Sequence, residues 1–295
     1  MAAAKPRIAF IGLGLMGAGF TKRLTRLGYS VTGFDLERDR MAAASSWGVV
    51  SAESPAGAVK DADIVQVCVL ETASVREIVF GRDGVANAGR ADMVFVDHGT
   101  TIHRATCEMA VELEGRCGMQ WIDAPVSGGP EAAENGSLAI MAGGKAEAID
   151  RITGLMDDLA ATFTHMGDIG AGQITKMVNQ TLVLSNYCVI AEAMKLGEAG
   201  GVDIAKIPEA LASGHAGSNL LSALVPRIVA RDFAPLGRAK QILKDLNMLD
   251  DLTDDLSAPT PMADEARALF QRLCDRGDQD LDGASVFKLY DEGIA

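Results

Sequence analysis

The chain has 295 residues, 48% hydrophobic and 23% charged, a balance that suits a folded protein with room for two domains. Its formal net charge of −13 sets it against nucleic-acid phosphate and anionic membrane surfaces, and no apolar run reaches the ~20 residues of a membrane span. Five scattered cysteines without a C-x-x-C pair offer no metal site, and "MAAAKPR" lacks the apolar core of a secretory signal, so a cytoplasmic protein with reduced thiols is expected.

The first element is "RIAFI" (7–11), a short apolar run that reads as a buried strand and ends in a glycine turn. "GYSVTGFD" (28–35), "ADIVQVCVL" (62–70), "ADMVFVDHG" (91–99) and "MQWIDAPVSGG" (119–129) repeat that texture, and "LAIMAGG" (138–144) adds a further strand. Segments of helical spacing such as "SVREIVFG" and "ATCEMAVELEG" lie between them. Continuous apolar strands alternating with helices predict a doubly wound α/β domain, its parallel sheet covered on both faces. Near Gly167 the texture changes to a long helical pattern and then shorter helices. The expected division is residues 1–167 for a Rossmann-type domain and 168–295 for an all-helical domain that opens with a long interdomain helix.

The glycine turn reads "FIGLGLMGAGF", with Gly12, Gly14 and Gly17 at the spacing G-x-G-x-x-G around Leu15 and Met16. In a dinucleotide site the first glycine allows a tight turn, the second a close backbone approach to pyrophosphate, and the third close packing of helix on strand. The helix that follows presents its N–H groups to phosphate. Three glycines alone fit a structural turn equally well. Here a strand precedes them, a helical pattern follows, and Asp35 closes the second strand 21 residues after Gly14, placed for the ribose hydroxyls. Together these predict a dinucleotide site. No arginine follows Asp35 directly, which favours NAD over NADP.

Further on, "GAGQITKMVNQTLVLSNYCVIAEAM" places Gln173, Lys176, Asn179 and Gln180 along one stripe of an otherwise apolar helix. A lysine there either reaches along its stem to water or sits in a cleft as a proton donor and acceptor, with Asn179 on the substrate oxygen. Ser127, Gly128 and Gly129, directly after a strand, offer a hydroxyl and backbone N–H groups suited to a carboxylate, or else a plain loop.

With these segments in view, the chain resembles the β-hydroxyacid dehydrogenase family over nearly its whole length. "FIGLGLMGAGF" is similar to the family's cofactor loop, "DAPVSGGPEAAENGSLAIMAGG" to its substrate loop and "GDIGAGQITKMVNQ" to its catalytic segment. The resemblance implies Lys176 as the catalytic lysine and Asn179 as its companion. It implies Ser127, Gly128 and Gly129 at the substrate carboxylate, Leu70 and Thr100 at the cofactor, and Lys244 of "LKDLNM" at the nicotinamide end. It further implies a helical domain closing over a small 3-hydroxy carboxylate such as 3-hydroxyisobutyrate, and a homodimer or homotetramer. Three positions depart from the family: Gly99 where serine is expected, Glu71 where proline is common, and Ala132 in place of a glycine. They bear on the substrate, and tartronate semialdehyde reduction remains an alternative. Among other relatives, 6-phosphogluconate dehydrogenases carry a histidine just after the lysine, and imine reductases generally lack the lysine. An NAD(P)-binding sensor or scaffold without catalysis is the alternative from another class. His98 is expected to pack beside the cofactor rather than to react.

Overall fold

The computed structural model describes residues 5–291. The chain forms two compact units, Met1–Lys176 and Met177–Ala295.

The first unit is built on β1 (Ile8–Ile11), β2 (Val31–Phe34), β3 (Val50–Ser51), β4 (Ile64–Val67), β5 (Val94–Asp97), β6 (Gln120–Asp123), β7 (Val126–Ser127), β8 (Leu138–Gly143) and β9 (Ala160–Gly167). They form one sheet in the order β3-β2-β1-β4-β5-β6-β8-β7, with β9 paired to β8. Between and after the strands run α1 (Leu15–Arg26), α2 (Arg38–Ser45), α3 (Pro55–Val59), α4 (Thr72–Phe80), α5 (His103–Cys117), α6 (Gly129–Asn135), α7 (Ala146–Leu159) and the start of α8 (Ala171–Ala199).

Strand alternation divides the core in two. On one face Ile8 and Phe10 of β1 and Val94 and Val96 of β5 meet Phe20 and Leu24 of α1 and Ile152 and Met156 of α7. On the other, Ala9, Ile11 and Phe95 meet Val75 and Val79 of α4 and Met109 and Leu113 of α5. Every residue of β1, β4 and β5 is buried, which is why these strands read as predominantly apolar runs, with Gln66 and Asp97 the polar exceptions. From β3 to β6 all pairs are parallel. The chain moves from β1 outward to β2, then returns to pair β4 on the other side of β1. That reversal opens a crevice at the carboxyl ends of β1 and β4, where such sheets receive ligands.

Two features differ from the expected parallel sheet. The fifth run breaks at Ala124–Pro125 into β6 and β7, and β8 runs antiparallel to both. The structure also adds β9, parallel to β8 and largely exposed.

The second unit holds the rest of α8 with α9 (Ile207–Leu211), α10 (Asn219–Ala230), α11 (Ala239–Leu256), α12 (Pro261–Leu273) and α13 (Phe287–Asp291). Buried Ile242, Leu246, Leu249 and Leu252 recur at helical spacing along α11, and Ala266, Leu269, Phe270 and Leu273 do so along α12. Ser218 caps α10 by accepting the Leu221 N–H at 3.0 Å. Asp282 accepts the N–H groups of Leu236, Gly237 and Ala284 and pairs with Arg227 at 2.8 Å, tying the C-terminal segment to the approach to α11.

Candidate active site

The glycine turn between β1 and α1 shows three distinct steric demands. Gly12 adopts φ +92°, and a Cβ there would lie 2.4 Å from the Cys68 carbonyl oxygen. A Cβ on Gly17 would lie 1.9 Å from the Gly12 oxygen, so only glycine lets α1 pack this closely on its own loop. Gly14, the N-cap of α1, faces open space, with nothing within 4 Å of a Cβ. Its backbone is the one that a ligand can approach. Leu15 is exposed and Met16 half-buried at the same helix start.

Asp35 follows β2 and locks this loop: its Oδ2 accepts the Leu13 N–H at 2.7 Å. Oδ1 accepts the Glu37 N–H at 2.9 Å and lies 3.4 Å from the Arg40 guanidinium. Arg40 is a cation that reading the residue next to Asp35 does not reveal, because α2 brings it back. Asp35, Arg40, Gly12, Phe34 and Ile78 line a cavity of about 430 Å³. Leu70 and Thr100 follow β4 and β5 on the same edge of the sheet, Leu70 exposed and Thr100 half-buried. An open glycine backbone at a helix start, beside a carboxylate at the end of the second strand, fits a dinucleotide.

The second part of the site lies at the ends of β5, β6 and β7. Ser127 closes β7, and Gly128 (φ +133°) and Gly129 (φ +77°) take the chain into α6 through conformations that favour glycine. Ala132 sits against this turn, 2.7 Å from where a Gly128 Cβ would stand. Lys176, only 8% exposed, donates from Nζ to the Val126 carbonyl at 2.9 Å. The lysine therefore lies inside the unit at the foot of the Ser-Gly-Gly turn, and the alternative of a stem reaching to water is set aside.

Gln173, one turn before Lys176 and fully buried, donates from Nε2 to Gly99 O (2.9 Å) and accepts the Thr101 N–H at Oε1 (3.1 Å). Its amide thus holds the loop after β5, not a ligand. Asp97 supports the same loop, accepting the Gly99 N–H at 2.8 Å and the Thr101 hydroxyl at 3.2 Å. A Cβ at Gly99 would stand 2.9 Å from Val69 O and 3.0 Å from Asp97 Oδ1, so glycine is the residue this tight loop accommodates. Glu71 is the N-cap residue of α4 and is exposed.

Asp123, at the end of β6, is fully buried and accepts the N–H groups of Gly170 (Oδ1, 2.8 Å) and Gln173 (Oδ2, 2.8 Å). Burial pushes its carboxyl up to about 7, against the pull of these and other backbone N–H groups. In sequence Asp123 stands only as the first residue of the substrate loop, with nothing to mark this role. His98 is buried in the core, stacked on Phe20 at 4.7 Å, with Nδ1 2.9 Å from Ala124 O and Nε2 2.8 Å from the Gln66 side-chain amide. Burial holds the ring neutral, lowering it from 6.5 to about 4.

Within the second unit, Asn179 donates to Gln180 Oε1 at 2.9 Å, Gln180 donates to Asp245 Oδ2 at 2.5 Å, and Asp245 pairs with Lys244 at 3.1 Å. Asn179 and Lys244, 65 residues apart in sequence, belong to one polar chain through Asp245, a residue that only the fold singles out. Among the described residues no group of three or more His, Cys, Asp or Glu could hold a metal ion, and no helix is long and apolar enough to cross a membrane.

Residues 7–167 match the family described as the NAD binding domain of 6-phosphogluconate dehydrogenase, and residues 170–290 that described as the NAD-binding region of NADP-dependent 3-hydroxyisobutyrate dehydrogenase. The 2-hydroxy-3-oxopropionate reductase of Escherichia coli is 30% identical over 282 residues, 95% of either chain. The NAD-dependent L-serine dehydrogenase of Pseudomonas aeruginosa is 31% identical over 292 residues, 97% of this chain and 98% of its own. A crystal structure of 3-hydroxyisobutyrate dehydrogenase from Salmonella typhimurium superposes with a TM-score of 0.87 at 27% identity, covering 97% of this chain and all of that one. A dinucleotide fold at one end of the chain and these full-length likenesses agree: the protein is an NAD-binding oxidoreductase and belongs to the β-hydroxyacid dehydrogenase family.

Proposed function

We propose that the protein oxidises a short 3-hydroxy carboxylate of the 3-hydroxyisobutyrate type with NAD, Lys176 serving as general acid and base. The observation that carries this reading is the buried Nζ of Lys176 at the foot of the Ser127-Gly128-Gly129 turn. The names of the relatives share one chemistry, a carboxylate with an oxygen on the carbon two bonds away, as in 3-hydroxyisobutyrate, L-serine and 2-hydroxy-3-oxopropionate. Ser127 Oγ and the Gly128 and Gly129 N–H groups receive the carboxylate, and in a chain of net charge −13 such a receptor is needed to hold an anion. Asn179, one turn after Lys176 on α8, holds the reacting oxygen.

Bound at Gly12, Gly14, Leu15, Met16, Gly17, Asp35, Leu70 and Thr100, the dinucleotide supplies a hydride acceptor. Lys176 Nζ takes the hydroxyl proton as the C–O bond becomes a carbonyl, and returns it when the reaction runs in reverse. Asp35 favours NAD, because a 2′-phosphate beside this carboxylate meets like charge. Exposed Val178, Leu182, Val189 and Leu196 lie along one face of α8 and support a homodimer or homotetramer. Five free cysteines suit a reducing cytoplasm.

General acid–base catalysis contributes ~10²–10⁴-fold, so Lys176→Ala should lower kcat by about that factor. NADH affinity, read by titration, should be unchanged. Lys176→Arg should stay inactive because a guanidinium keeps its proton. Near wild-type kcat in Lys176→Ala, measured on the best acid of a panel, would overturn the mechanism.

A further inference from the structure

The N-terminus of α8 is capped from outside its own sequence. The helix begins at Ala171, and the preceding residue is Gly170 at φ +91°, which has no side chain to accept the helix's free N–H groups. Asp123, 47 and 50 residues earlier, supplies the acceptors: Oδ1 for Gly170 N–H and Oδ2 for Gln173 N–H, both at 2.8 Å. The surroundings are cut to fit this carboxylate. A Cβ on Gly143 would stand 2.6 Å from Oδ1, and one on Gly172 would stand 2.8 Å from Oδ2 and 2.5 Å from the Asp123 carbonyl. Glycine on both sides lets β8 and α8 close on the carboxylate.

We propose that Asp123 is the positioning residue for Lys176: by capping the first turn of α8 it fixes the axial and rotational setting of the helix that aims Nζ at the Ser127 turn. The inference rests on Lys176 as the proton-transferring group. Lys176 follows Gln173 by three residues, one helical turn, so the turn that Asp123 grips carries the lysine directly. Gln173 grips the same turn from a second direction, through Gly99 O and Thr101 N–H. With the first turn held at the ends of both β5 and β6, the lysine can reach the Val126 carbonyl without searching.

The test is a double-mutant cycle on the full chain with Asp123→Asn and Lys176→Ala. Asparagine keeps the shape but turns an NH2 toward one of the two N–H donors, so one cap bond is lost. Misplacement of a catalytic group by about 1 Å costs up to ~10²-fold, so Asp123→Asn should lower kcat by roughly 10–100-fold, with NADH affinity and the KM of the acid little changed. In the Lys176→Ala background the same substitution should have no further effect on kcat, because the group it positions is gone. Hydrogen exchange of the amides of residues 170–176 should accelerate in Asp123→Asn. Equal factors in both backgrounds, or wild-type kcat in Asp123→Asn, would overturn the proposal and leave Lys176 standing. Full activity in Lys176→Ala would instead refute the catalytic reading itself. Should Asp123→Asn fail to fold, Gly172→Ala presses on the same cap from the helix side and should give the same pattern, with unchanged kcat counting against the proposal.

Discussion

Two buried groups make opposite demands on stability as pH changes. His98 titrates near 4 in the folded protein against 6.5 ordinarily, so the unfolded chain binds this proton more tightly. Its contribution is whole above pH 6.5 and is lost as pH falls toward 4. Asp123 titrates near 7 against 3.8, so the folded chain binds this proton more tightly, and its contribution is present below 3.8 and lost as pH rises through 7. Between about pH 7.5 and about pH 5, the proton-linkage integral gives a loss from His98 and a gain from Asp123 that are each on the order of 2 kcal/mol. The two contributions therefore largely offset each other in the wild-type protein over this range. Asp63 and Asp158, both held below 3.8 by ion pairs and hydrogen bonds, act beneath the window.

Asp123→Asn removes one of the two demands. Whatever the substitution costs at neutral pH, the variant should lose a further ~2 kcal/mol by about pH 5, and neutralising His98 instead should reverse the slope. Urea unfolding followed by tryptophan fluorescence reads the relevant unit, because Trp47 and Trp121 both lie in Met1–Lys176. Parallel pH profiles for wild type and Asp123→Asn would refute the account of Asp123, and a flat profile in the variant would refute that of His98.

The glycine turn yields a paired prediction: Gly14→Ala should leave the thermal stability of the unliganded protein unchanged but weaken NAD binding, because the methyl group enters open space on the ligand's side. Gly17→Ala should lower stability and binding together, since its Cβ meets the Gly12 oxygen, and calorimetry of both variants with and without NAD separates the two cases. Asp35→Ala should narrow the preference for NAD over NADP in kcat/KM, because it removes the carboxylate that now sits 3.4 Å from the Arg40 guanidinium; an unchanged ratio counts against the assignment. Methyl esters and amides of a good substrate should turn over far more slowly than the free acid if Ser127 and its glycines receive a carboxylate. If the exposed face of α8 carries the proposed self-association, Leu182→Lys should lower the mass read by light scattering, and an unaltered mass counts against that face.

The parts of this molecule that sequence discloses are those whose cause is local. Gly12 and Gly17 are demanded by atoms a few residues away or one strand over, and β1, β4 and β5 announce themselves because burial on both faces leaves mostly apolar residues. β9 is hidden for the converse reason: "AATFTHMG" lies exposed at the edge, so neither face imposes an apolar period. Helical spacing located Lys176 and Gln173 on one stripe, yet it could not separate their tasks. That separation depends on which strand end each one meets, Gly99 and Thr101 after β5 for the glutamine, Val126 at the start of β7 for the lysine. Asp123 lies beyond sequence reading altogether, because the N–H groups it serves are 47 and 50 residues away and belong to a helix whose own start is a glycine. Gly99 is the intermediate case. Its departure from the family's serine is visible in the sequence as a doubt about substrate, but the tight fit is spatial, since a Cβ there would stand 2.9 Å from Val69 O and 3.0 Å from Asp97 Oδ1. A serine restored at this position would therefore press on Asp97 and, through the Gly99 carbonyl, on Gln173 and the first turn of α8. The departure thus bears on how the lysine-bearing helix is held as well as on what the site accepts.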